Sequence, residues 1–246
     1  KQNTQKVRHG ILDRFCLEHG EKRFSHLRPK DLMKIRDKMT DRPESANGLT
    51  KALRQLFKYA IAYDHIASNP ASDVGYLKPN NPDGFHAWTL AEVEKFEATH
   101  PIGTKARLAM SILLYTGQRR GDVIGFGRQH ISDGWLSFTQ QKTGKAMEIP
   151  VLSVLREIID ASPKGDLTFI VTEFNRPFSS AGFGNRFRKW CDEAGLKQCS
   201  AHGLRKAAAA RLADIGCTTL EIMSITGHDS IKEVERYTRS AEQKRL

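Results

Sequence analysis

Apolar residues recur at three- and four-residue spacing over Leu49, Leu53, Leu56, Phe57, Ala60 and Ile61, which places them on one face of a helix. Lys51, Arg54 and Lys58 fall on another face. Further helices over Val7–His19 and Pro29–Met39 complete a small bundle in the first 80 residues. The turn-forming stretch Lys78-Pro79-Asn80-Asn81-Pro82-Asp83-Gly84 has no apolar period and predicts a boundary between a domain at 1–80 and a second at 81–246. Beyond it, Thr89 and Glu92 form a capping box ahead of Leu90, Val93 and Phe96, and a second helix runs to about Tyr115. The period then shortens. Ile131–Phe138 and Met147–Val151 read as strands flanking a turn at Lys142-Thr143-Gly144-Lys145, with Thr168–Val171 as a further strand. Helical spacing returns with Phe183, Phe187 and Trp190 on one face, an Ala-rich stretch from Ser200 to Ile215, and capping pairs Thr218/Glu221 and Ser230/Glu233. The predicted fold class is mainly α with a small β-sheet or hairpin: a helical domain followed by an α+β domain.

Composition narrows the function. The 246 residues carry 39 Lys+Arg against 28 Asp+Glu, a formal net charge of +11, with 39% hydrophobic and 27% charged side chains. That balance belongs to a folded protein with an acidic partner rather than to a disordered tail. The stretch through Asn80 holds 16 basic and 9 acidic residues, which makes it the more basic part per residue. Nucleic acid, anionic lipid and simple solubility all accommodate such a surplus. No run approaches 18 apolar residues, Leu108–Leu114 being the most apolar, and the amino-terminal segment is not a signal peptide, so a cytoplasmic protein with no membrane partner is expected. Cys16, Cys191, Cys199 and Cys217 have no metal-finger spacing; reduced thiols, no metal and no cofactor are expected. The chain opens on Lys1 rather than Met, as a processed product or fragment does.

Three short segments concentrate cations and nucleophiles: Thr116-Gly117-Gln118-Arg119-Arg120-Gly121-Asp122, His202-Gly203-Leu204-Arg205, and Gly227-His228 followed nine residues later by Tyr237. Each type of segment is common in purely structural settings. Their order and spacing together resemble the tyrosine recombinase (phage integrase) family. The resemblance runs from about Trp88 to Tyr237, and the basic bundle before it is similar to that family's core-binding domain. It implies a catalytic set of Arg119, Lys142, His202, Arg205, His228 and Tyr237, with Asp122 bracing the site. Lys145 is the alternative to Lys142.

The chemistry implied is cleavage and rejoining of duplex DNA through a 3′-phosphotyrosine. The new ester conserves the broken bond, so neither ATP nor metal is called for. Arginine forks suit a phosphoryl transition state whose non-bridging oxygens gain charge. His202 takes the tyrosine proton, Lys142 protonates the leaving 5′-oxygen, and His228 donates a hydrogen bond to the phosphate. Lys51, Arg54, Lys58, Arg186 and Arg188 are candidate DNA contacts. The resemblance further implies a homotetramer on two DNA sites, a monomer without DNA, accessory DNA-bending proteins, and a nucleoid-associated setting of prokaryotic, phage or mobile-element type. A type IB topoisomerase-like enzyme and a non-catalytic DNA-binding protein stand as alternatives.

Overall fold

The computed structural model describes residues 2–82 and 84–235 of the chain. Two compact units divide at Gly84 and Phe85. Among the described residues no helix is long and apolar enough to cross a membrane.

The first unit contains α1 (Gln2–His19), α2 (Pro29–Asp37) and α3 (Pro43–Ala62). Prolines open α2 and α3 at the first helical position, where the missing N–H removes no intrahelical bond. Leu32, Leu53, Phe57, Ala71 and Val74 form the core, with Leu12, Phe15, Met33 and Leu49 packed around it. Leu56 and Ile61, predicted on the buried face of α3, are exposed, because they lie at the margins of a stripe centred on Ala46, Thr50, Leu53 and Phe57. The segment after α3 folds back along it. Asn47 clamps it at Leu77, giving Nδ2–H to the carbonyl and accepting the N–H, both at 2.8 Å.

The second unit contains α4 (Leu90–Thr99), α5 (Lys105–Thr116), α6 (Arg120–Val123), strands β1 (Ile131–Ser132), β2 (Trp135–Thr139) and β3 (Ala146–Pro150), then α7 (Ser153–Ala161), α8 (Ser180–Glu193), α9 (Ala201–Asp214) and α10 (Thr219–Thr226). Residues 231–235 are helical. α5 is apolar on nearly every side and is the core helix, burying Leu108, Ala109, Met110, Ile112, Leu113 and Leu114. It packs against α9, where Ala207 and Ala208 allow close approach, and against α7. The Thr89/Glu92 and Thr218/Glu221 capping boxes both form.

Two strand expectations are corrected. The Ile131–Phe138 run splits into β1 and β2 because Asp133 and Gly134 both take positive φ (50° and 84°) and turn the chain, giving a three-stranded antiparallel sheet in the order β1-β2-β3. Residues 168–171 form no strand. Val171 makes a single bridge to Pro177, and Phe169 N–H is spent on Phe126 O at 2.8 Å. Helix α7 was not anticipated between β3 and residue 168; its buried Leu155, Ile158 and Ile159 carry the three- and four-residue spacing that marks it.

Candidate active site

α5 stops at Gly117, whose φ of 61° lies in the left-handed region and whose N–H reaches Leu113 O at 3.0 Å. The chain turns there and presents Arg119 at the mouth of α6 in extended backbone, with Nη1 donating to Gln140 Oε1 at 2.9 Å. Arg120 is exposed. Asp122 is buried, and its Oδ1 accepts the Gln141 N–H at 2.8 Å, pinning the foot of the β2–β3 connection. Asp122 Oδ2 has no hydrogen-bond partner among the described residues.

That connection is closed by Gln140 N–H to Lys145 O at 2.9 Å and Gly144 N–H to Gln140 O at 2.8 Å. Lys142 and Lys145 are both exposed on it.

Ser200 caps α9, and the helix then turns His202 outward while burying Gly203, Leu204 and Arg205. Arg205 Nη1 donates to Gly117 O at 2.8 Å and Thr226 O at 2.7 Å, tying the loop after α5 to the end of α10. The His202 ring lies 4.7 Å from Phe85. Desolvation first, then the charges of Arg205, Lys206, Arg119 and Arg120, hold His202 below the ordinary histidine pKa.

α10 ends at a left-handed Gly227 (φ 72°), which delivers His228 into the interior. The Thr226 hydroxyl has one proton and gives it to Ile222 O at 2.6 Å, so His228 Nδ1, 2.6 Å from the same oxygen, must be the N–H donor. Nε2 of the neutral ring therefore carries a lone pair. Burial first, then Arg205, Arg119 and His202, push the His228 pKa down to about 3. The Nδ1–H is held by Thr226, which leaves Nε2 as the ring atom turned toward Arg205, Arg119 and His202.

Tyr237 lies outside the described residues, which end at Glu235.

The five candidate DNA contacts differ in what they already hold. Arg54 gives Nε–H to Ala71 O, Nη1–H to Tyr76 Oη, and Nη2–H to Ser72 O and Val74 O, all at 2.8–3.0 Å. Those bonds spend most of the fork inside the first unit and correct its reading as a base-contacting residue. Lys51 is exposed, its ammonium 5.4 Å from the Tyr76 ring, and Lys58 is exposed. Arg186 pairs with Glu173 at 2.9 Å over the Trp190 ring, and Arg188 caps Cys199 O at 3.0 Å.

Sequence reasoning missed the buried Gln118, Gln140 and Thr226 and the half-buried Thr143, the polar groups that connect the predicted residues. Gln140 Nε2 donates to Gln118 Oε1 at 2.7 Å and Thr226 O at 3.2 Å, and Gln140 Oε1 accepts Thr143 Oγ1–H at 2.7 Å. A signal existed for Gln140: it continues the inward alternation of Leu136 and Phe138 with a polar side chain where an apolar one is expected.

His86, Glu92 and Cys199 offer ligand atoms within 4.8 Å of one another, the one such His/Cys/Asp/Glu group among the described residues. Glu92 is already spent: it accepts from the Thr89 N–H at 2.8 Å, from His86 Nε2 at 2.7 Å and from Gln198 Nε2 at 2.6 Å. Against burial, those donors hold its carboxyl at about 2. Burial pushes the Cys199 thiol up to about 12.

The profile of the Phage integrase family matches residues 89–244. The tyrosine recombinase XerC 2 of Ralstonia nicotianae is 27% identical over 210 residues, covering 79% of this chain and 60% of its own length. The integrase of Escherichia phage lambda is 28% identical over 207 residues, covering 78% and 57%. The chain thus spans 60% or less of the length of these two relatives. Among solved structures, a lambda integrase dimer bound to a COC′ core site superposes with a TM-score of 0.85 at 23% identity, covering 97% of this chain and 89% of that one. A lambda integrase tetramer bound to a Holliday junction gives 0.82 at 23%, covering 96% and 72%. Both share the mainly helical fold with its small antiparallel sheet.

Proposed function

This chain belongs to the phage integrase family, and from that premise we propose that it is a site-specific tyrosine recombinase that cleaves and rejoins duplex DNA. The observation that carries the reading is the hydrogen-bonded path from Arg119 through Gln140 and Thr226 O to Arg205, with His228 on Thr226. Two guanidiniums from segments 86 residues apart in sequence are held on one scaffold, with His202 close enough to feel both charges. Residues 81–246 are the catalytic part in this reading, and 1–80 hold the duplex.

In the first step Tyr237 Oη attacks the scissile phosphorus. The P–Oη bond forms, the P–O5′ bond breaks, and the phenolic proton passes to His202, which desolvation and the neighbouring cations hold below the ordinary histidine pKa. Lys142 gives a proton to the departing 5′-oxygen. Arg119 and Arg205 bind the non-bridging oxygens, where charge grows in the pentacoordinate transition state. Attack by a 5′-hydroxyl from a second duplex reverses the steps and seals the exchanged strand. Duplex DNA and further copies of the chain, four on two sites, are the partners. Accessory DNA-bending proteins and a nucleoid-associated, cytoplasmic setting belong to the same reading.

The test is incubation with a pool of nicked duplexes of randomised sequence, from which the short 5′-hydroxyl strand diffuses after cleavage. A covalent adduct on a denaturing gel is expected from the wild type and not from Tyr237→Phe, with equal yield in the presence of EDTA. The recovered sequence, placed on two duplexes, should then support strand exchange. Relaxation of supercoils by a monomer without exchange would favour the topoisomerase alternative. Binding without any adduct would leave a DNA-binding protein and overturn the assignment.

A further inference from the structure

Gln140 has no exposed surface, and every hydrogen-bonding capacity of its side chain is filled. A carboxamide has two N–H donors and an oxygen with two lone pairs. Here the nitrogen faces Gln118 Oε1 and Thr226 O, and the oxygen faces Arg119 Nη1 and Thr143 Oγ1. The orientation is fixed by chemistry, since a guanidinium can only donate and a backbone carbonyl can only accept. Its partners lie in three separate segments: the loop after α5, the turn bearing Lys142, and the end of α10 just before His228. Thr226 O is shared with Arg205 Nη1, so this one amide reaches both arginines within two hydrogen bonds. Space has been made for it as well. A Cβ on Gly227 would fall on the Gln140 amide, so the residue preceding His228 is open both for its left-handed backbone and for this contact.

We propose that Gln140 is a positioning residue for DNA cleavage, aiming the Arg119 fork and holding the Lys142 turn in register with it. This rests on the recombinase reading above. The choice of amide over acid follows from the same contacts. A carboxylate at 140 would pair with Arg119 and cancel the charge meant for the phosphate, and it would set an unprotonated oxygen against Gln118 Oε1 and Thr226 O. Gln140 touches no reacting atom in this scheme; it acts through Arg119 and through the turn.

The experiment measures single-turnover adduct formation on the nicked duplex recovered from the randomised pool, with duplex affinity and melting temperature measured alongside. Gln140→Met should slow adduct formation about 10²-fold, the scale of a misplacement of about 1 Å, while duplex affinity changes by less than about threefold. Gln140→Glu, despite its matching shape, should be slowed similarly. In an Arg119→Ala background, Gln140→Met should add little further loss, because the two side chains act as one unit. An equal fold loss in both backgrounds, or no loss at all, overturns the proposal. If Gln140→Met does not fold, Thr143→Val at the partly exposed turn removes the hydroxyl from the same oxygen. It should give roughly a tenfold loss that is likewise smaller in the Arg119→Ala background, and full activity there overturns the proposal equally. A wild type that forms no adduct from the pool removes the recombinase reading and this role with it. A normal wild type with additive losses removes only the role of Gln140.

Discussion

Arg205 does two jobs with one side chain, and they can be separated. Its Nη1 satisfies Gly117 O and Thr226 O inside the protein, and the proposed chemistry asks the rest of the fork to meet phosphate. Arg205→Ala should cost about 10²–10³ in adduct formation and, by taking the guanidinium from Gly117 O and leaving Thr226 O only its bond from Gln140, about 1–3 kcal/mol of stability. Urea denaturation alongside the cleavage assay resolves the two losses; unchanged stability would show that water replaces the guanidinium. His228 gives a pH signature. Its folded pKa of about 3 lies below the ordinary 6.5, so between those values the unfolded ring binds a proton that the folded ring refuses. Stability from this group is therefore complete above pH about 6.5 and falls as pH drops toward 3, by up to about 1.4 kcal/mol per pH unit. The groups facing it are Arg205, Arg119, His202 and, 4.0 Å from Nε2, Glu233. His228→Asn, measured by urea melts across that range, should flatten the acid limb, and an unchanged slope would contradict the assignment. Lys142 has its own test: in a duplex whose scissile 5′-oxygen is replaced by sulfur, the leaving thiolate needs no proton, so the defect of Lys142→Ala should largely disappear.

At the scale of elements, the parts that could be read from sequence were those governed by neighbours in the chain. Thr89 with Glu92 and Thr218 with Glu221 are capping boxes because partners three residues apart meet at any helix start. The hairpin around Lys142 and the buried face of Phe183, Phe187 and Trp190 follow from local periods in the same way. Asp133-Gly134 is equally local, but the β-type run of apolar residues continues across it and masks the turn. What could not be read was set at long range. Arg54 looks like any outward arginine on α3 until residues 71–76 fold back over it, and Thr226 becomes a site residue only through Arg205 and Gln140. Gly203 is another case. A Cβ there would strike His86 O and the Trp88 ring, which lie across the start of α9, so Gly203→Ala should push the 86–88 segment off α9. Loss of the Trp88 Nε1–H to Ser200 O bond (3.0 Å) would follow, and a shift in tryptophan fluorescence with a lower melting temperature is the expected readout.

For the molecule as a whole, a net charge of +11 predicts that affinity for duplex DNA falls steeply and log-linearly with salt. Phosphate contacts dominate such a slope and carry no sequence information. Lys51→Ala and Lys58→Ala should each reduce it by about one unit, whereas Arg54→Met should lower the thermal stability of the first unit before it alters any preference among sequences. Titration of duplex binding at several salt concentrations, with melting curves for each variant, checks both statements.

The Arg54 latch has a practical corollary for anyone wishing to redirect this protein to a new target. Counting surface arginines overstates the positions open to change, because the most inviting fork on α3 is the rivet of its own scaffold, bound to Ala71, Ser72, Val74 and Tyr76. A randomised library should leave that codon fixed and diversify the flanking lysines, since changes at 54 are expected to weaken the first unit before they alter any preference among sequences.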